Sequence, residues 1–199
     1  FNYNGTNYTA GRVSNNGWLA MGTTNSGTSG GYSNVCLPTA ASSFNATNGD
    51  VICANWDDMI PSGTVTTSIK TQQVGSVFII QWTNEDNFNA TGTGVITFQM
   101  QLEQTTNNIH FVYPDITYGA AGFDGGASAT IGLNFGGVTA QQYSCNTASL
   151  VDGQSVSFIR NTIAITGYSW SGPNSYSNGT QNPTIASAGP AGGVYTVTV

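Results

Sequence analysis

Val95-Ile96-Thr97-Phe98-Gln99-Met100-Gln101-Leu102-Glu103 alternates with a period of two. Ile96, Phe98, Met100 and Leu102 fall on one side, and Val95, Thr97, Gln99, Gln101 and Glu103 on the other. Successive side chains of a strand point to opposite faces, so the stretch reads as a half-buried antiparallel strand. Thr105-Thr106-Asn107-Asn108 supplies a turn, and Ile109-His110-Phe111-Val112-Tyr113 returns as the second arm of a hairpin. Val77 to Trp82, Ala129 to Phe135 and Ser155 to Ile159 have strand composition. Gly11 to Ser14 and Gly17 to Met21 flank an Asn15-Asn16-Gly17 turn. A helix is expected only around Thr139 to Tyr143. Short strands separated by Gly and Asn turns predict an all-β fold, an antiparallel β-sandwich.

Hydrophobic residues make up 39% of the 199 positions, enough for a core, whereas charged residues make up only 6%. The surface must then be covered by Asn, Thr, Ser, Gln and Gly, a pattern associated with extracellular adhesive and structural proteins. Nine acids face only Arg12, Lys70 and Arg160. A chain of net charge −6 lacks the basic footprint that phosphate backbones or anionic membranes require. No apolar run approaches the roughly 20 residues of a spanning helix. The chain opens inside a strand-like segment, Phe1 to Asn4, as expected of a mature or excised segment.

Cys36, Cys53 and Cys145 are an odd set, so at least one is unpaired within the chain. Cys36–Cys53 is the leading pairing, because it would staple a loop rich in Ser, Thr, Asn and Gly. Cys36–Cys145 and Cys53–Cys145 are its rivals. No Cys-x-x-Cys motif occurs.

Composition shifts near residue 161, dividing the chain into 1–160 and 161–199. The first part resembles the nidogen-like, NIDO-type β-sandwich domains of secreted and surface proteins, especially large adhesins of Bacteroidetes-type bacteria. Ser14 to Leu19, Ile52 to Asp58, Phe78 to Trp82, Thr97 to Leu102, Asn108 to Tyr113 and Ala129 to Leu133 carry that resemblance. The tail is similar to the C-terminal half of an immunoglobulin-like or PKD-like bacterial repeat, through Tyr168 to Asn174, Gln181 to Ile185 and Gly193 to Val199. The opening strands of such a repeat are missing. These resemblances imply surface display, adhesion and export by the type IX secretion route, and they imply no catalytic residues.

Asp57 and Asp58 close the apolar run Val51 to Trp56. Adjacent carboxylates supply two or three of the six to eight oxygens that Ca²⁺ takes, and Asp86, with Glu85 and Asp124, adds more if the fold gathers them. The competing reading is a strand-end turn whose carboxylates accept backbone N–H groups. Tyr32, Trp56 and Tyr118 are candidate ligand contacts, although Trp18, Trp56 and Trp82 all lie in apolar runs and also read as core. His110 stands on the polar face of its strand, without a Gly-x-Ser-x-Gly elbow anywhere. Glu85 with Asp86, or Glu103 with another acid, can be drawn as a glycosidase pair, yet no spacing supports it. Asn4, Asn7, Asn45, Asn89 and Asn178 head glycosylation sequons. Val194, Tyr195, Val197 and Val199 form a terminal strand that, in a repeat lacking its opening strands, is suited to strand addition onto a neighbouring copy.

The expected protein is a non-catalytic extracellular sandwich of jelly-roll or Ig-like packing followed by a short Ig-like segment. It would bind a glycan or a protein surface, or copies of itself in a filament. Calcium is the one cofactor the acidic run suggests. A carbohydrate-binding module is a further alternative.

Overall fold

The computed structural model describes residues 1–23, 31–161, 166–185 and 193–199. The chain divides into two compact units, Phe1–Arg160 and Asn161–Val199.

The larger unit holds a five-stranded sheet and a six-stranded sheet. The first consists of Gly11–Val13 (β3), Trp18–Met21 (β4), Val51–Trp56 (β5), Thr130–Phe135 (β11) and Thr139–Cys145 (β12), in the order β12-β11-β5-β4-β3. The second consists of Met59–Pro61 (β6), Ser68–Val74 (β7), Val77–Asn87 (β8), Ile96–Glu103 (β9), Ile109–Asp115 (β10) and Gln154–Phe158 (β13). Its order is β13-β10-β9-β8-β6, and β7 also pairs with β8. A small ribbon, Asn2–Tyr3 (β1) with Thr6–Asn7 (β2), precedes them. All pairings are antiparallel. The unit is an all-β sandwich.

The alternation read from Ile96 to Glu103 is reproduced residue by residue, buried side chains at Ile96, Phe98, Met100 and Leu102 and half-buried ones between. Those four pack between the sheets with Ile80, Trp82, Ile109, Phe111 and Tyr113, against Ile52, Ala54 and Leu133 of the other sheet. His110 lies on the outer face, its Nδ1 2.8 Å from the Ser157 hydroxyl.

Strand β5 does not alternate; all six of its residues are buried. Ile52 and Ala54 face the second sheet, whereas Val51, Cys53 and Trp56 join Trp18, Ala20, Leu37 and Phe44 in a separate core. The five-stranded sheet is therefore covered on both faces. A strand buried on both sides carries a continuous apolar run, which explains Val51 to Trp56. The outer core is closed by Gly31, whose carbonyl accepts both the Trp18 and the Trp56 indole N–H, at 2.8 and 2.6 Å. A side chain at Gly31 would meet the Trp18 ring at 2.7 Å, and its φ of +74° is already a glycine conformation.

Two sequence expectations are corrected here. Thr139 to Tyr143 is not a helix but most of edge strand β12, because pairing along β11 satisfies its backbone groups. The disulfide is Cys36–Cys145, with Cα atoms 5.4 Å apart, not Cys36–Cys53. The segment around Cys36 is tied to β11 and β12 rather than to β5. Asn34 donates to the Ser128 carbonyl and to Asn146 Oδ1, and the Leu37 amide donates to Gln142 Oε1. Cys53 is a buried free thiol, and burial pushes its pKa well up, which keeps it protonated.

The smaller unit is a three-stranded antiparallel sheet of Ser169–Gly172 (β14), Tyr176–Asn178 (β15) and Thr196–Thr198 (β16), in the order β15-β14-β16. Tyr195 packs edge-on against Tyr176, ring centroids 5.3 Å apart. The terminal strand is thus engaged within its own unit, through Trp170↔Val197 and its neighbours, and is not a wholly free strand. Val194, Val197 and Val199 remain 83%, 41% and 70% exposed.

Candidate functional site

One end of the sandwich interior is polar. The apolar face of β5 runs out at Asn55, and Asp57 follows the strand; facing it, β8 runs out at Glu85, Asp86 and Asn87. Asp57 Oδ2 accepts from the Asn87 carboxamide at 3.0 Å and from the Ser128 hydroxyl. The Asp57–Asn87 bond joins the end of one sheet to the end of the other. Asp57 Oδ1 takes the Asp58 amide at 2.8 Å, so part of the strand-end-turn reading is realised. Burial raises the Asp57 pKa, and the bond from Ser128 is the largest influence opposing it.

Asp86 is 2% exposed, and its oxygens take the amides of Asn87 at 2.8 Å and Gly92 at 3.0 Å. It shapes the turn from Phe88 to Gly92. Asp58 is half-buried and contributes its carbonyl to the Phe88 amide, while burial raises its carboxyl pKa. Asp124 serves a different loop, accepting the amides of Gly119 and Ala120. Among the described residues no group of three or more acid, histidine or cysteine side chains is arranged to hold a metal ion. The set Asp57, Asp58 and Asp86 expected for calcium does not form such a group.

Glu85 behaves differently. It is 1% exposed, and neither carboxylate oxygen has a hydrogen-bond partner. Burial pushes its pKa up to about 7. Tyr118 is buried too, and its hydroxyl also makes no hydrogen bond of normal geometry. Burial raises the Tyr118 pKa well above the usual phenol, and the charges of Asp57, Glu85 and Asp86 raise it further, with Asn87 opposing in part.

The reason Glu85 points inward is a bulge. Ile80 and Trp82 face the core, and strict alternation would send Glu85 outward. The register between β8 and β9 shifts between Trp82 and Glu85, where Asn84 adopts a φ of +57°. The extra residue inverts the phase, and Glu85 comes to pair with inward Ile96. In the sequence only Asn84, a residue that tolerates the left-handed region, signals this.

Of the three expected ligand contacts, Trp56 and Tyr118 are corrected to core positions, 0% and 2% exposed. Trp56 packs on Phe44 with centroids 4.2 Å apart, and Trp18 and Trp82 are equally buried. Tyr32 is 53% exposed. Sequence reasoning passed over Phe88, 58% exposed in the turn that Asp86 shapes. A cleft of about 440 Å³ opens elsewhere, lined by Tyr8, Val13, Leu19, Met21, Phe78 and Leu102 among others.

A family model described as NIDO related matches residues 1–165, the whole sandwich. The chain belongs to the NIDO-related family. Comparison with curated proteins and with solved structures gives no significant match. In this NIDO-related domain the features that stand out are the exposed aromatics Tyr32 and Phe88 and the buried polar residues Asp57, Glu85, Asp86 and Asn87. No helix among the described residues is long and apolar enough to cross a membrane.

Proposed function

We propose that the chain is an extracellular, non-catalytic binding domain of a bacterial surface adhesin, displayed through the type IX route, whose loops hold a glycan or a protein surface. The observation that carries this reading is the NIDO-related match over the entire sandwich. The charge-poor surface supports it, as does the disulfide, a bond that persists in oxidising compartments. Tyr32 and Phe88 are the contacts we assign, because exposed aromatics on loops supply most of the energy of a binding patch. In glycan-array and immobilised-matrix assays, Tyr32→Ala and Phe88→Ala should each weaken capture by roughly tenfold or more, with thermal midpoints unchanged. Full capture by the double variant would remove the loops from the binding role.

A filament subunit is the second reading, favoured by β16, an edge strand among the described residues, and by exposed Val194, Val197 and Val199 in and beside it, in an Ig-like or PKD-like tail. An unpaired strand edge is a template for a neighbouring chain. Deleting 194–199 should then abolish filaments in electron micrographs and leave the sandwich folded. Filaments that survive the deletion would place assembly elsewhere.

A further inference from the structure

The five-stranded sheet ends at β3 among the described residues, and that edge borders the apolar cleft. The Ser14 amide donates to the Trp18 carbonyl, and the Gly22 amide donates to the Ala10 carbonyl. Arg12 pairs with Ala20 between them. The even-numbered residues of this stretch therefore turn their main chain toward β4, and the amides and carbonyls of Gly11 and Val13 point to the open edge. Edges are commonly guarded by charged side chains. The one charge of β3 does not guard this edge. The Arg12 guanidinium donates to the carbonyls of Phe44 and Asn45 and lies 4.9 Å from the centre of the Trp18 ring, turned onto the outer core.

Gly11 and Val13 also line the cleft of about 440 Å³, together with Leu19, Phe78, Leu102 and, from β7, Thr71. Its size is that of a binding pocket, about 300–1,000 Å³, and no charged side chain lines it. Unpaired main-chain groups beside an apolar cleft are the two parts of a strand-addition site: the backbone supplies hydrogen bonds, and alternate side chains fill the cleft. A small apolar molecule would use only the second part. The chain itself presents a strand that uses both. β16 is an edge strand among the described residues. Alternation puts Val197 and Val199 on one side of it, 41% and 70% exposed, and the run from Val194 to Val199 carries no charged side chain.

We propose that the β3 edge is the acceptor for β16 of a second copy of the chain. The added strand extends the five-stranded sheet, its main chain bonded to Gly11 and Val13, with Val197 and Val199 entering the cleft. The inference rests on the filament reading and supplies the surface that receives the strand. Donor and acceptor are different surfaces, so the contact is head-to-tail and repeats along a filament instead of closing a two-fold dimer.

The test is sedimentation velocity of the intact chain over a wide concentration range, with electron micrographs of the same samples. Two variants block the acceptor. Thr71→Lys places a charge in the cleft at a position exposed in the single chain. Val13→Pro removes an amide at the open edge and leaves the bonds to β4 intact. Each should weaken association by about tenfold or more with the thermal midpoint unchanged, and a synthetic peptide of residues 193–199 should dissociate assemblies of the unmutated chain. If Val13→Pro lowers the midpoint, Thr71→Lys decides alone. Thr71→Lys assembling as tightly as the unmutated chain, while deletion of 194–199 abolishes assembly, would overturn the β3 acceptor and leave the filament reading standing. Assembly that survives the deletion would sink both, as would a chain that stays monomeric at every concentration. An uncharged naphthylamine dye held equally well by monomer and assembly would show the cleft still open in the filament, and that too would overturn the proposal.

Discussion

Cys36→Ser/Cys145→Ser is expected to lose about 3 kcal/mol of stability, roughly 10 °C in the thermal midpoint. The bridge spans a sequence separation of 109 residues, and a cross-link restricts the unfolded chain more as its loop lengthens. It also anchors the segment that closes the outer core, since Gly31 and Leu37 both lie within five residues or so of Cys36 along the chain. The measurement is denaturant unfolding of the wild type and the double variant without reductant. Thiol labelling separates this pairing from its rivals. The folded wild type should resist the reagent, and unfolding should reveal one reactive thiol, Cys53. A Cys36–Cys53 bridge would instead leave Cys145, which is only half-buried, open to labelling in the folded state. An unchanged denaturant midpoint in the double variant would refute the structural role of the bridge.

Trp56→Ala should be at least as costly, about 3–5 kcal/mol. The indole is fully buried, stacks at a tilt on Phe44, and donates to Gly31. Truncation leaves a large cavity in the outer core beside Phe44 and Trp18, and it removes half of the clamp that positions residue 31. Tyr32 is the next residue, so binding assigned to Tyr32 should fall in this variant as well, through misplacement and not through lost contact. The urea midpoint measures the first effect. A Trp56→Ala protein with an unchanged midpoint would mean that the ring lies on the surface, as a sugar-stacking role would need.

The fold was largely readable before any coordinates. Ile96, Phe98, Met100 and Leu102 announce their face through a period of two that no helix shares, and the hairpin with Ile109, Phe111 and Tyr113 follows from the same pattern. Val51 to Trp56 was readable as apolar but not as covered on both faces, because the cover comes from Gly31, Leu37 and Phe44 in a segment with no regular periodicity. Thr139 to Tyr143 misled because a polar edge strand has no buried face to enforce alternation; its pairing with β11 alone makes it a strand.

The candidate site was half readable. Asp57 was marked by its place at the end of an apolar run, and it does lie at the polar end of the interior. Asp58 and Asp86 looked equivalent to it, yet backbone amides occupy Asp86 and a different geometry holds Asp58. Trp56 and Tyr118 looked like contacts because aromatic residues serve cores and binding surfaces alike.

Hydrophobic periodicity, charge poverty and turn residues are local quantities, and they set the all-β architecture, the inward residues of its regular strands and the absence of a basic surface. The rest depends on which distant segments meet. Cys36 finds Cys145 because residues 34–37 bind along β11 and β12, a fact that no spacing encodes. Glu85 is buried because one left-handed residue, Asn84, shifts a strand's phase. Loop pairing and bulge phase are global outcomes of packing, so the bridge, the sealed aromatics and the unsatisfied carboxylate belong to the folded state alone.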